Sequence, residues 1–186
     1  MPLEGDMYEP DPDVVADARS GQIRAFEDLV RRYQADVWRL SFHLLHDEAL
    51  ADDATQDTFV RAYRFLPRYR GDAKFSTWLF SIARNCALDE ARRAGRRRRV
   101  SEKLQAQPRP ASTEHSAGIE VREAVASLPM ELREPIVLID MMGAAYKDVA
   151  AMLGVPEGTI KSRVHRARET LVRMLGPQAE ESSNEI

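Results

Sequence analysis

Thr159, Lys161, Ser162, Arg163, His165, Arg166 and Arg168 crowd hydrogen-bond donors into one short stretch of sequence. Between them, Ile160, Val164, Ala167 and Leu171 step by four, three and four, the spacing of a buried helix face. The polar members therefore share the other side of a rigid rod. Such a row suits the base edges of a DNA major groove and the phosphates beside them. Just upstream, Tyr146 to Leu153 reads as a short helix with Val149, Ala150 and Leu153 facing inward. Gly154 permits a tight turn, Val155 packs into its corner, and Pro156 has a φ preset for a helix start. Two helices joined this way form a helix-turn-helix, whose second helix enters the major groove at its N-terminal end. A solvated basic helix in an ordinary bundle is the competing reading, and it leaves the turn chemistry and the segregated faces unaccounted for.

A second group is acidic. Asp52, Asp53, Gln56 and Asp57 place carboxylates and an amide on one helix side, suited to pairing with arginines on a partner helix. The alternative is a metal site completed by His43 or His46. Asp53 and Asp57 are four residues apart, but no histidine has a matching spacing on that helix, so no metal and no cofactor is expected. An enzyme built on these acids would need a nucleophile–base pair or a phosphate loop, and neither is present in the sequence. Cys86 lies on an apolar stripe and is expected to pack rather than react.

The elements that must position these groups are helical throughout. Phe26, Leu29, Val30, Tyr33, Val37, Leu40, Leu44 and Leu45 mark one face of a long amphipathic helix, after a shorter one from Asp13 to Ser20-Gly21. Ala51, Ala54, Phe59, Ala62, Tyr63 and Leu66 mark a third, which Pro67 ends. Residues 68–75 form a polar loop, and Ser76 is a plausible N-cap for a helix that buries Trp78, Leu79, Ile82, Ala83 and Cys86 before entering an arginine cluster. Residues 98–118 lose periodicity and hold Pro108, Pro110 and Gly118, a linker composition. Four further helical stretches follow, from about Ile119 to Leu175. The expected architecture is all-α: an acidic flexible tail (1–12), a helical domain (13–97), a flexible linker (98–118), a second helical domain with the helix-turn-helix (119–177), and a flexible tail (178–186).

Composition sets the remaining bounds. The 186 residues are 44% hydrophobic, enough for a core, and no apolar run approaches the ~18 residues of a membrane span. A single cysteine and an N-terminus without a basic-then-apolar leader pattern favour a cytoplasmic setting. The net charge of −3 averages over an acidic N-terminus and the arginine runs Arg92–Arg93 and Arg96–Arg99, so it does not argue against nucleic acid.

Several motifs together resemble a known family. Gly158-Thr159-Ile160-Lys161-Ser162-Arg163 with Arg166-Ala167-Arg168 resembles region four of extracytoplasmic-function sigma factors, in the sigma-70 family. Ala51-Asp52-Asp53-Ala54-Thr55-Gln56-Asp57-Thr58-Phe59 resembles the region-two segment that grips RNA polymerase. Tyr69-Arg70-Gly71-Asp72, Phe75-Ser76-Thr77-Trp78-Leu79 and Ile82-Ala83-Arg84-Asn85, with Asp89 and Arg92-Arg93, resemble the promoter-melting segment.

The resemblance implies a non-enzymatic factor that binds core RNA polymerase and directs promoter-specific initiation. Asp52, Asp53, Gln56 and Asp57 would face the β′ clamp helices, and the β flap is a further implied contact of the polymerase. Tyr69 and Asn85 would hold a base flipped out of the minus-ten element, with Phe80 and Arg84 flanking that pocket; a stacking ring and a two-faced amide suit that task. Lys161, Ser162, His165 and Arg166 would read the minus-thirty-five element, and Arg163 and Arg168 would hold phosphate. A cognate anti-sigma factor is a further implied partner. The main rival is a free-standing helix-turn-helix regulator that binds an operator as a dimer, which would leave the Asp52–Phe59 segment without a task.

Overall fold

A computed structural model describes residues 7–102 and 117–175. The expected linker positions 103–116, positions 176–177 of the expected second domain, and tail positions 1–6 and 178–186 lie outside the described residues. The described chain forms eight α-helices and no strand: α1 (Pro12–Arg19), α2 (Ile23–Leu45), α3 (Glu48–Phe65), α4 (Phe75–Glu102), α5 (Ala117–Ser127), α6 (Met130–Ile136), α7 (Tyr146–Leu153) and α8 (Glu157–Leu175). The all-α, two-unit architecture with a C-terminal helix-turn-helix is the one the sequence periodicity predicts. No described helix is long and apolar enough to cross a membrane.

Local chemistry sets the helix ends. Asp11 caps α1 by accepting from the Asp13 N–H at 2.9 Å, with Pro12 in the first turn. His46 ends α2 in the left-handed conformation at φ 55°. Asp47 then caps α3, accepting from the Leu50 N–H at 3.0 Å, so only His46 and Asp47 separate two long helices. α3 gives way at Leu66–Arg68 to a single tight turn containing Pro67.

The start of α4 differs from expectation. The helix begins at Phe75, so Ser76 lies within it, buried, with its hydroxyl unpartnered. The cap comes from Glu9, whose carboxylate accepts from the Phe75 N–H and, at 3.1 Å, from the Ser76 N–H. A carboxylate there satisfies orphan donors and meets the positive end of the helix dipole. The segment before α1 is therefore not wholly a loose tail. Met7 and Pro10 are buried, and the Tyr8 carbonyl accepts from the Tyr33 hydroxyl at 2.7 Å. α4 also runs to Glu102, past the expected linker start at 98, because no proline or β-branched cluster interrupts the arginines, good helix formers.

Two apolar layers make the core. Leu29, Tyr33, Val37, Leu40 and Leu44 of α2 pack against Ala54 and Ala62 of α3 and Leu79, Ala83, Cys86 and Ala87 of α4. The small residues let the three helices approach closely. A buried leucine such as Leu40, fully inaccessible, contributes about 2 kcal/mol. Cys86 belongs to this core, and burial pushes its thiol up from the ordinary range, away from reactivity. In the second unit Leu128, Leu132, Ile136, Val137, Leu138, Val149, Ile160, Val164 and Ala167 form the core.

The stretch expected as one helix over Glu131–Met142 is divided. Pro135 lies inside α6, and residues Val137–Met141 widen into a π turn in which the Met142 N–H donates to the Val137 carbonyl at 3.0 Å. Proline removes a donor, and the added residue re-pairs the ladder beyond it.

Candidate nucleic-acid interface

The helix-turn-helix is built by turn chemistry. Gly154 sits at φ 66°, and the Val155 N–H returns to the Ala150 carbonyl at 3.1 Å, closing the end of α7. The Pro156 carbonyl accepts from Thr159 and Ile160 and opens α8. Ile160, Val164 and Ala167 are buried, which fixes the rotation of α8 about its axis.

That rotation exposes Lys161, Ser162, His165 and Arg166 on one face, with Thr159 and Arg163 half-buried at its edges. Lys161 pairs with Glu157 at 2.8 Å, which raises its pKa and keeps it charged. His165 lies 3.4 Å from Glu169. Arg166 has no carboxylate partner among the described residues. Arg168 departs from its expected task. Its guanidinium makes a two-point pair with Asp140, at 2.9 and 2.6 Å, and the carboxylate raises its pKa further. A side chain held this way ties α8 to the π turn and is not free to grip phosphate.

On α3, Asp52, Asp53 and Gln56 are exposed and Asp57 is half-buried. Asp52 accepts from the Trp38 indole N–H at 2.7 Å. Asp57 pairs with Arg61 at 2.7 Å, and Arg61 also reaches Asp89 at 3.0 Å. The outward acids are therefore Asp53 and the free side of Asp52. No group of three or more His, Cys, Asp or Glu among the described residues could hold a metal ion.

The segment from Tyr69 to Asn85 forms an aromatic wall. The Tyr69 ring lies 5.1 Å from Trp78 and 5.9 Å from Phe75, the latter edge-on, and its hydroxyl donates to the Ala73 carbonyl at 2.6 Å. Burial raises the Tyr69 hydroxyl pKa, so the ring stays neutral. Asn85 is exposed and stands seven residues beyond Trp78, two turns along the same helix face. Phe80, expected to flank this pocket, does not. It is only 2% exposed and packs edge-on against Tyr33 at 6.2 Å, because it falls on the buried side of α4. Trp78, expected as core, is half-buried and joins the aromatic wall with Tyr69 and Phe75 instead.

Arg84 is held across the two helical units. Its Nε and terminal nitrogen donate to Glu134 of α6 at 3.1 and 3.0 Å, and it also bonds the Asn85 Oδ1 at 3.3 Å. Nearby, Arg133 donates to the Leu44 and Leu128 carbonyls, each at 2.9 Å, and His46 Nε2 lies 2.5 Å from the Arg122 carbonyl oxygen. Burial is the largest cause lowering the pKa of both His43 and His46. A cleft of about 1110 Å³, lined by Tyr8, Arg32, Phe80, Tyr146 and Arg168 among others, separates the units elsewhere. Glu9, Glu134 and Arg133 escaped sequence reasoning, and His46 was weighed there only as a metal ligand, because their partners are far away in the chain; Glu9 alone carried a hint, as an acid in an otherwise unexplained acidic segment.

Comparison with known proteins agrees with this geometry. The Sigma-70 region 2 family matches residues 29–97, and the Sigma-70, region 4 family matches residues 119–171. The chain is 37% identical to the ECF RNA polymerase sigma factor SigC of Mycobacterium tuberculosis over 159 residues, covering 83% of this chain and 85% of the relative. It is 33% identical to the RNA polymerase sigma-H factor of Pseudomonas aeruginosa, covering 94% of this chain and 98% of the relative. Among solved structures, CnrH in complex with the cytosolic domain of CnrY matches with a TM-score of 0.71 at 30% identity, covering 90% of this chain and 97% of that one. The sigma factor RpoE in complex with the anti-sigma factor NepR, from Bartonella quintana, matches with a TM-score of 0.69 at 29% identity, covering 82% and 98%. The buried face of α8, the acid-bearing α3 and the aromatic wall of α4 thus fall inside matched regions, and the chain belongs to the sigma-70 family of transcription initiation factors, in its extracytoplasmic-function group, as a sigma factor directing transcription initiation.

Proposed function

We propose that the two units divide promoter recognition between them. Lys161, Ser162, His165 and Arg166 read base edges of the minus-thirty-five element, with Thr159 and Arg163 at the margin of the contact. Tyr69 and Trp78 provide a stacking wall, and Asn85 the hydrogen-bonding amide, for a base extruded from the minus-ten element. Stacking and phosphate contacts offset the cost of unstacking, a few kcal/mol per step. Asp52, Asp53 and Gln56 meet arginines of the β′ clamp helices. Exposed Val172, Met174 and Leu175 at the end of α8 suit an apolar contact with the β flap. The chain itself does no chemistry, works in the cytoplasm, and leaves catalysis to core polymerase. A cognate anti-sigma factor is a partner on the same reading, because the similar RpoE of Bartonella quintana was solved in complex with the anti-sigma factor NepR.

The observation that carries this reading is the pairing of an exposed donor face on α8 with an exposed Asn85 beside the Tyr69–Trp78 wall, one on each unit. The test is promoter binding in the presence and absence of core polymerase. Selective binding that requires core enzyme supports the reading. Equally selective binding by the purified chain as a dimer favours the free-standing regulator.

A further inference from the structure

The aromatic wall of α4 stands on the first turn of that helix. Phe75 opens the turn, and the Phe75 and Trp78 rings lie 5.5 Å apart. Tyr69 leans on both, at 5.9 and 5.1 Å. Residues 70–73 between them are exposed. The turn has no local cap. Lys74 stands at the cap position with a side chain that can only donate. The Ser76 and Thr77 hydroxyls are buried and unpartnered. The orphan Phe75 and Ser76 N–H groups donate instead to Glu9, 66 and 67 positions away. Glu9 is itself held in place. Met7 and Pro10 on either side of it are buried, and the Tyr8 carbonyl accepts from the Tyr33 hydroxyl at 2.7 Å. The Arg32 guanidinium lies 4.1 Å over the Tyr8 ring. Tyr33 in turn lies 5.7 Å from Phe75, so the Met7–Pro10 segment and the wall share one aromatic base.

Resting on the base-capture reading of Tyr69, Trp78 and Asn85, we propose that Glu9 is a positioning residue for the captured minus-ten base. It touches no DNA. Its two hydrogen bonds hold the first turn of α4, and through Phe75 they keep Trp78 and Tyr69 at the spacing that receives a base. Without them the turn frays. Base capture must then also order the turn, and the apparent affinity falls with the fraction of molecules already ordered. The sign of the effect separates this role from simple electrostatics. Glu9 is an acid and DNA a polyanion, so charge alone makes removal of Glu9 tighten binding. Positioning demands the opposite, and only on a strand that carries the captured base.

The test uses holoenzyme assembled with the wild-type chain, Glu9→Ala or Glu9→Gln. One probe is a single-stranded minus-ten oligonucleotide. The other is the same strand with one abasic site, placed where loss of the base weakens wild-type binding most. The quantity read is the ratio of the two affinities, which does not depend on the fraction of active protein. Glu9→Ala should lower that ratio about fivefold, the size of one lost helix cap, while affinity for the abasic strand holds or rises slightly. Glu9→Gln keeps an acceptor oxygen at the same reach and should recover most of the ratio. An unchanged ratio in Glu9→Ala overturns the positioning role and leaves base capture standing. Tighter binding to both probes also overturns it, making Glu9 a repulsive neighbour of the strand. Equal losses on both probes, or a loss of core polymerase binding, overturn it as well, making Glu9 a general fold contact. So does Glu9→Gln that recovers nothing. A wild-type holoenzyme that binds every abasic strand as tightly as the intact one removes base capture and the role of Glu9 together.

Discussion

Arg84 and Glu134 meet in a two-point ion pair that joins helix α4 of the first unit to helix α6 of the second, with the Glu134 side chain 8% exposed. An arginine so held cannot also lie along a DNA strand, so the arrangement described here must loosen before Arg84 serves a promoter. Glu134→Gln keeps the shape of the side chain and removes its charge. It should widen the particle in small-angle scattering, because the docked units lose the ion pair that joins α4 to α6. Unfolding of each unit should shift little, since a carboxylate freed by undocking regains water rather than remaining buried. An unchanged scattering profile would show that the other contacts suffice.

Acid should act on the same junction. Burial lowers the pKa of His43 and His46, so the docked state favours their neutral forms. A folded pKa below the unfolded one gives stability that is complete above about 6.5, the ordinary histidine value, and is lost as pH falls toward the lowered one. Docking should therefore weaken on acidification below that value. A fluorescence-transfer pair placed on α2 and α5 would measure it. The double variant His43→Gln with His46→Asn, whose asparagine tolerates the left-handed backbone, should flatten the pH response.

Arg166→Ala should cost about 1–3 kcal/mol of discrimination between the cognate minus-thirty-five element and a scrambled one. An equal loss on all sequences would make it a phosphate contact. Arg168→Ala should act differently. It removes the Asp140 tie and so lowers the stability of the second unit, with discrimination little changed; denaturant unfolding and competition binding separate the two effects.

Asn85→Ala should spare association with core polymerase and impair open-complex formation, read by permanganate footprinting of the minus-ten segment. Asp53→Lys should do the reverse, weakening capture of core enzyme. Normal opening in the first, or unchanged capture in the second, would remove the corresponding role.

Gly154→Ala tests the turn itself. Nothing lies within 4 Å of the added Cβ, so the cost arises from the left-handed backbone alone, about 1–2 kcal/mol, and should appear as a lower unfolding midpoint.

What was legible in the chain follows from the range of each interaction. The helix-turn-helix could be read because Gly154, Val155 and Pro156 determine the turn within three residues, and because Ile160, Val164 and Ala167 repeat at the helical period. The acid-bearing face of α3 was legible for the same reason. Phe80 was not, since an aromatic side chain suits a base-stacking pocket as well as a core, and only its packing against Tyr33 places it on the buried side of α4. The Glu9 cap, the Arg84–Glu134 pair and the Arg168–Asp140 pair join residues 66, 50 and 28 positions apart, and no local period encodes such a partner. The π turn beyond Pro135 was hidden because Leu132, Ile136 and Ile139 keep helical spacing across it.

On the proposed reading, both units act on one promoter only when mounted on core RNA polymerase. Run-off transcription by purified core enzyme, with and without this chain, on templates in which the minus-ten and minus-thirty-five elements are altered singly and together, tests it most directly. The expected outcome is a discrete transcript that requires the chain and falls when either element is changed. A chain that leaves the polymerase as inactive on these promoters as it was alone, or transcripts indifferent to one element, would contradict it.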